Sequence, residues 1–152
     1  AGTVSDRFIS QTDITATLAD HLGYALPHDA AEDSFSFLDE LVEGHAVAHR
    51  RDLAVYHSCR NKMGIREGEW VYVDSPTGDD ELGRGEQRRM QEPEWFRGMR
   101  GATAHHEDCE LFNLADDPQE LHNLAGEMPE KVAEMKQLLT EVMQAGRTAP
   151  AR

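Results

Sequence analysis

The chain has 152 residues, enough for one domain with a modest hydrophobic core. It carries 15 Lys and Arg residues against 29 Asp and Glu residues, a net charge of −14, which argues against nucleic acid and anionic membranes as partners. No apolar run is long enough to span a bilayer or to form the core of a signal peptide. Because the chain as a whole is strongly negative, any anionic ligand must bind in a local pocket of basic residues.

The first predicted element is a helix that opens near Asp13 and ends before Gly23 and Pro27. Asp13 suits a helix N-cap, which we favour over a metal-ligand role. Apolar residues recur every four positions and lie on one face of this helix: Ile14, Leu18 and Leu22. A second, short helix is predicted within residues 33–44, with an inward apolar set of Phe37, Leu38, Leu41 and Val42.

Three strands are predicted next, at 53–57, 62–66 and 69–73, because β-branched and aromatic residues are enriched there and Glu67-Gly68 is a tight turn. Residues 75–108 are rich in Gly and charged residues and read as a long insertion. The side chains in this stretch that could contact a sugar ring and an acidic group are Trp95, Phe96, Arg97, Arg100, His105 and His106. We favour the alternative that the aromatic residues anchor a surface loop.

A fourth strand is predicted at 110–112, followed by a capped helical turn that opens at Asp117-Pro118 with Glu120 completing a capping box. The last helix spans 129–145, and the tail at 147–150 is expected to fray. Its apolar stripe should pack on a sheet: Val132, Met135, Leu138, Leu139 and Val142. The pattern predicts an α+β fold, a small four-stranded, mostly antiparallel sheet with this helix packed on one face.

Residues 110–124 read E-L-F-N-L-A-D-D-P-Q-E-L-H-N-L. They closely resemble a C-terminal signature of the sulfatase family, E-L-Y-(D/N)-L-x-x-D-P-x-E-x-x-N-L, with Phe112 in place of the usual Tyr. Residues 11–27 and 64–73 resemble two further segments of that family. The resemblance implies that residues 1–44 are the helical tail of the catalytic domain. Residues 45–152 would then be the C-terminal α+β subdomain, with the insertion at 75–108.

The resemblance also implies a parent enzyme that hydrolyses sulfate esters with a formylglycine nucleophile and Ca²⁺. The family nucleophile lies in a C/S-x-(P/A)-x-R motif, which neither Cys59 nor Cys109 begins, and two free thiols are favoured over a disulfide. Nucleophile and Ca²⁺ ligands are thus expected in a catalytic domain upstream, and we expect this chain to hold no catalytic or metal-binding residue and to be inactive alone. Its expected partners are that N-terminal catalytic domain and, in the full-length enzyme, a sulfated small molecule or glycan.

In the family, the loop after the first strand of the small sheet faces the mouth of the active site. Here that loop concentrates cations and an imidazole in an acidic chain, so we expect it to bind substrate through His57, Ser58, Arg60 and Lys62. A solvated hairpin loop is an equally weighted alternative.

Two other functions stay open. One is a free-standing acidic module that takes Ca²⁺ through Asp116-Asp117 or through residues 79–81, although no EF-hand pattern is present. The other is a part of a phosphonate or phosphate-ester hydrolase of the same superfamily.

Overall fold

The computed structural model describes residues 2, 4–57, 62–75, 95, 99 and 107–151. Its elements are α1 (Asp13–His21), α2 (Leu38–Leu41), β1 (Leu53–His57), β2 (Met63–Glu67), β3 (Trp70–Val73), β4 (Glu110–Asn113) and α3 (Pro129–Ala145). The four strands form one sheet in the order β1-β2-β3-β4. The predicted α+β fold is confirmed, and each predicted strand lies within one residue of its observed bounds. None of the described helices is long and apolar enough to cross a membrane.

The core of the sheet is a row of three side chains. Antiparallel pairing places Ile65 of β2 opposite Tyr72 of β3, and Tyr72 opposite Leu111 of β4. All three are fully buried, at 0% exposure. Residues that pair directly across neighbouring strands project from the same face of a sheet. This row therefore defines the face that needs a cover.

The helix α3 covers that face. Lys131 Nζ lies 5.3 Å from the centre of the Trp70 ring, and Lys136 Nζ lies 3.3 Å from Asp74 Oδ1. Trp70, Asp74 and the buried Tyr72 lie two residues apart along the strand and its continuation, so they share one face. Met135 of α3 is fully buried. The predicted packing of the last helix on one face of the sheet is confirmed.

The outer edge of β4 is closed by the residues that follow it. The Leu111 N–H donates to Asn123 Oδ1 at 2.9 Å, and the Leu124 N–H donates to the Leu111 carbonyl at 2.8 Å. The Asn123 side chain also donates to the Cys109 carbonyl at 3.0 Å. An unpaired strand edge invites pairing with another chain, and here an amide side chain takes those positions. This is the physical role of the last Asn in the 110–124 motif.

The capped helical turn predicted after Pro118 is wrong. The chain makes turns there, and Glu120 adopts a left-handed φ of 55° that a helix excludes. The carboxylate of Asp117 accepts from the His122 N–H at 2.8 Å, beyond the position that a capping box requires. Asp and Pro mark the turn correctly, but the Asp side chain closes a wider loop.

Contacts divide the chain into two compact units, Ala1–Ala54 with Thr140–Arg152, and Val55–Leu139. In the first unit the apolar face predicted for α1 is exposed, with Ile14 at 51%, Leu18 at 55% and Leu22 at 76%. The helix buries Asp13, Ala16, Thr17 and Ala19 instead. The second predicted helix is reduced to the single turn α2, in which Leu38 is buried and Leu41 is exposed.

The C-terminal tail is anchored, which contradicts the predicted fraying. Thr148 donates from its backbone N–H and from its hydroxyl to Asp33 Oδ1, at 2.7 and 2.9 Å. The Ala149 N–H donates to the Glu32 carbonyl at 2.9 Å, and Ala149 is buried. Gly146, at a φ of 68°, makes the left-handed turn that ends α3 and redirects the chain.

Candidate functional site

The predicted substrate-binding loop connects β1 and β2. His57 is the last residue of β1, Lys62 directly precedes β2, and both are exposed. Ser58 and Arg60 lie outside the described residues, as does most of the predicted insertion at 75–108. Substrate binding by this loop therefore stays a prediction.

A buried ion pair organises the first unit. Arg51 Nε lies 2.8 Å from Asp13 Oδ2 and Nη2 lies 2.7 Å from Oδ1, and the two side chains are 3% and 1% exposed. The backbone N–H groups of Ser10 and Phe35 donate to the same carboxylate at 2.8 and 2.9 Å. Burial alone would raise the pKa of Asp13, but the Arg51 and backbone hydrogen bonds outweigh it and lower the pKa.

Asp13 is therefore neither an N-cap nor a metal ligand. It is the first residue of α1, and Thr12 occupies the N-cap position. Both of its carboxylate oxygens accept hydrogen bonds from Arg51 and from backbone N–H groups, which leaves them no role as metal ligands. The sequence favoured a cap because Asp is common at helix starts, and the distant Arg51 left no local signal.

Arg51 also ties three segments together. Its Nη1 donates to the Leu53 carbonyl at the start of β1, at 2.7 Å, and its Nη2 donates to Thr12 Oγ1 at 3.2 Å. The guanidinium carbon lies 4.8 Å from the centre of the Phe35 ring, within cation–π range. These contacts fix the position of the residues before β1 by geometry that Lys could not reproduce.

A cavity of about 470 Å³ lies beside α1 in the first unit. Near it, Asp20 Oδ2 accepts from Ser36 Oγ at 2.6 Å and lies 3.1 Å from His45 Nε2. In a hydrolytic triad the imidazole stands between the hydroxyl and the carboxylate, whereas here both groups contact the same oxygen. Ser36 therefore donates directly to a carboxylate, with no imidazole between the two groups. The apolar lining of the cavity includes Ala16, Ala19, Leu26, Phe35, Val47 and Ala149.

A cluster that the sequence did not reveal lies on the sheet face opposite α3. Tyr56 of β1 lies against Gly64 of β2, where an added Cβ would stand 2.6 Å from two ring carbons. Burial, assisted by the carboxylates of Glu120 and Glu110, raises the pKa of Tyr56 to about 12. Tyr56 still exposes 44% of its surface. The signal available in the sequence was Gly64 inside a strand, which marks a close approach.

The described residues show neither a metal-binding group nor an activated thiol. No group of three His, Cys, Asp or Glu side chains within them is placed to hold a metal ion. The Asp116 and Asp117 carboxylates accept hydrogen bonds from Asn113 and His122 instead of facing a common point. Cys109 is a free thiol whose pKa is raised by burial, the opposite of an activated thiol.

No protein-family model matches the chain. It is similar to an N-acetylgalactosamine-6-O-sulfatase of Bacteroides thetaiotaomicron, at 32% identity over 133 residues that cover 88% of this chain and 23% of the relative. A structure from work on glycosaminoglycan metabolism by the same species matches at 31% identity and a TM-score of 0.59, over 86% of this chain and 24% of that one.

The phosphonate monoester hydrolase of Agrobacterium radiobacter shares the fold, at 20% identity and a TM-score of 0.53, over 93% of this chain and 26% of that one. The chain thus spans about a quarter of the length of the proteins that it matches. In the curated relative the matched quarter is the C-terminal part.

Proposed function

We propose that this sulfatase homologue is the non-catalytic C-terminal part of an enzyme that hydrolyses sulfate esters. The observation that carries the proposal is the 32% identity to a sulfatase over 88% of this chain. The remaining three quarters of such an enzyme would supply the formylglycine nucleophile and Ca²⁺, which together perform the displacement at sulfur. The names of the N-acetylgalactosamine-6-O-sulfatase and of the glycosaminoglycan-metabolism structure described above support a sulfated glycan as the substrate class.

In this proposal α1 faces the catalytic domain. Its exposed stripe of Ile14, Leu18 and Leu22 forms one apolar side of a helix whose other side is already buried. Contiguous exposed apolar surface of this kind marks a protein contact. The upstream domain of the same polypeptide is the partner proposed for this stripe.

The β1–β2 loop is proposed as the rim of the substrate pocket, through His57, Ser58, Arg60 and Lys62. In the full-length enzyme, we expect His57→Ala to lower kcat/KM by about tenfold, which corresponds to about 1.4 kcal/mol. We expect Arg60→Ala to raise KM through lost charge attraction, an effect that added salt would mask. Unchanged kinetics in both variants would place the loop outside the pocket.

The test of the proposed function compares two proteins on a chromogenic aryl sulfate. The 152-residue chain alone should give no turnover above a buffer blank, and the polypeptide that includes the upstream part of its reading frame should hydrolyse the ester. Turnover by the pure chain would refute the assignment of a non-catalytic role.

The second candidate function is phosphonate-ester hydrolysis, with which the shared fold of the Agrobacterium hydrolase is consistent. The same longer polypeptide should therefore be assayed with a phosphonate monoester in parallel. A higher kcat/KM on the phosphonate than on the sulfate would select this alternative.

A further inference from the structure

Tyr56 is a half-exposed aromatic side chain whose ring packs against the backbone of Gly64. Gly64 leaves bare backbone beneath the ring, and any larger residue there would overlap the ring carbons at 2.6 Å. Tyr56 and Gly64 belong to neighbouring strands of the sheet, so the ring is held against hydrogen-bonded backbone. A large aromatic side chain held in one orientation can contact a ligand at low cost in conformational entropy.

The surroundings of Tyr56 select the kind of ligand. The carboxylates of Glu120 and Glu110 and the guanidinium of Arg66 act on its phenol, so two negative charges and one positive charge set the electrostatic field at the ring. A sulfate group would be repelled by that field, whereas an uncharged sugar ring would not. The C–H face of a pyranose can lie on an aromatic face, and the phenol, which stays protonated at neutral pH, can donate to a hydroxyl.

The position of Tyr56 links it to the proposed pocket. It directly precedes His57, where the proposed substrate-binding loop begins. A glycan carries sulfate groups and uncharged ring faces in one molecule, and the two would require separate neighbouring contacts. The loop supplies cations for the first, and Tyr56 supplies an aromatic surface for the second.

We propose that Tyr56, seated on Gly64, binds an uncharged sugar ring of the glycan substrate by stacking. The role rests on the proposed function for its substrate class. Tyr56 is a binding residue in this account and takes no part in the chemical step.

The first experiment measures binding without catalysis. The 152-residue chain is titrated with a desulfated oligosaccharide that contains N-acetylgalactosamine, and NMR follows the ring signals of Tyr56 together with the backbone amide signals of β1 and β2, which every variant retains. We expect those signals to shift at millimolar ligand in the wild type and in Tyr56→Phe, which keeps the ring. In Tyr56→Leu, which keeps bulk without a ring, and in Gly64→Ala, which displaces the ring, we expect at least fivefold weaker binding. An unshifted wild-type ring, or equal affinity in Tyr56→Leu, would overturn the proposal.

The second experiment uses the longer enzyme on a sulfated glycan. Stacking that is equal in the ground state and the transition state predicts that Tyr56→Leu raises KM by about tenfold and leaves kcat unchanged. Tyr24→Leu, at another exposed tyrosine, is the matched control and should change neither constant. A fall in kcat with KM unchanged would overturn the stacking role. If the enzyme hydrolyses no sulfate ester while the chain binds the oligosaccharide through Tyr56, the proposed function fails and the stacking site stands.

Discussion

The helices α1 and α3 carry similar apolar patterns and use them in opposite ways. The stripe of α3 faces inward, with Met135 at 0% and Leu139 at 3% exposure and its other members half-buried. The stripe of α1 is exposed, with Leu18 at 55%. The comparison shows that a helical period identifies an apolar side but not the partner that covers it.

The reason lies on the other side of α1. There the Ala16 N–H donates to Ser34 Oγ at 2.8 Å, and Thr17 Oγ1 accepts from the Phe37 N–H at 3.1 Å. Together with the Asp13–Arg51 pair, these bonds hold α1 by its polar side. Small residues at the contact let the backbones approach closely enough for such bonds to form. The apolar side of α1 is left available for a different contact, whereas the apolar side of α3 packs against the sheet.

The largest effect should come from breaking the ion pair under α1. Asp13→Ala leaves the Arg51 guanidinium buried without its counter-charge, and we expect a loss of about 3–5 kcal/mol in the free energy of unfolding. Urea denaturation measures it. Arg50→Ala is the matched control, because Arg50 contacts Asp39 at 2.6 Å but is 67% exposed, so its loss should be at most about 1 kcal/mol. Equal losses in the two variants would show that the buried pair does not hold α1.

A smaller but substantial loss is expected within α3. Leu139→Ala should cost about 2–5 kcal/mol because the side chain is almost fully buried and leaves a cavity. Leu138 belongs to the same predicted apolar stripe but is only half-buried, so Leu138→Ala should cost less. Thermal denaturation of the pair of variants measures the difference. The reverse order would mean that α3 is rotated about its axis from the observed orientation.

The corresponding change in α1 should leave stability nearly unaltered. Replacing Ile14, Leu18 and Leu22 together by Gln should change the free energy of unfolding of the 152-residue chain by about 0.5 kcal/mol per site or less, because all three are exposed. The same replacement should reduce self-association of the chain, measured by sedimentation velocity, since the apolar stripe is removed. A loss as large as that of Leu139→Ala would contradict the contrast between the two helices.

The smallest effect concerns alkaline pH and the second unit. The pKa of Tyr56 is raised to about 12 from 10.0, so its contribution to stability is complete below pH 10 and is lost as the pH rises through about 12. Because Tyr56 is partly exposed, the effect on unfolding should be modest. Ultraviolet titration of tyrosinate should show a component near pH 12 that Tyr56→Phe removes. Persistence of that component in Tyr56→Phe would assign it to another tyrosine.

The sequence alone determined the elements whose signals are local. The strand bounds, α3 and the turn at Asp117-Pro118 follow from periodicity, β-propensity and the fixed φ of Pro, all of which act within a few residues. The 110–124 motif likewise identified the sulfatase relationship, because a gap-free match of that length carries its own specificity.

Tertiary structure decided everything that depends on a distant partner. Asp13 acquired its role from Arg51, which lies 38 residues away, and Thr148 is anchored by Asp33 across 115 residues. The burial of the polar side of α1 and the contact of Tyr56 with Gly64 likewise depend on contacts between separate elements. Periodicity and propensity describe how a segment interacts with itself and with water. They do not identify the distant atom that will contact a buried carboxylate or the face of an aromatic ring.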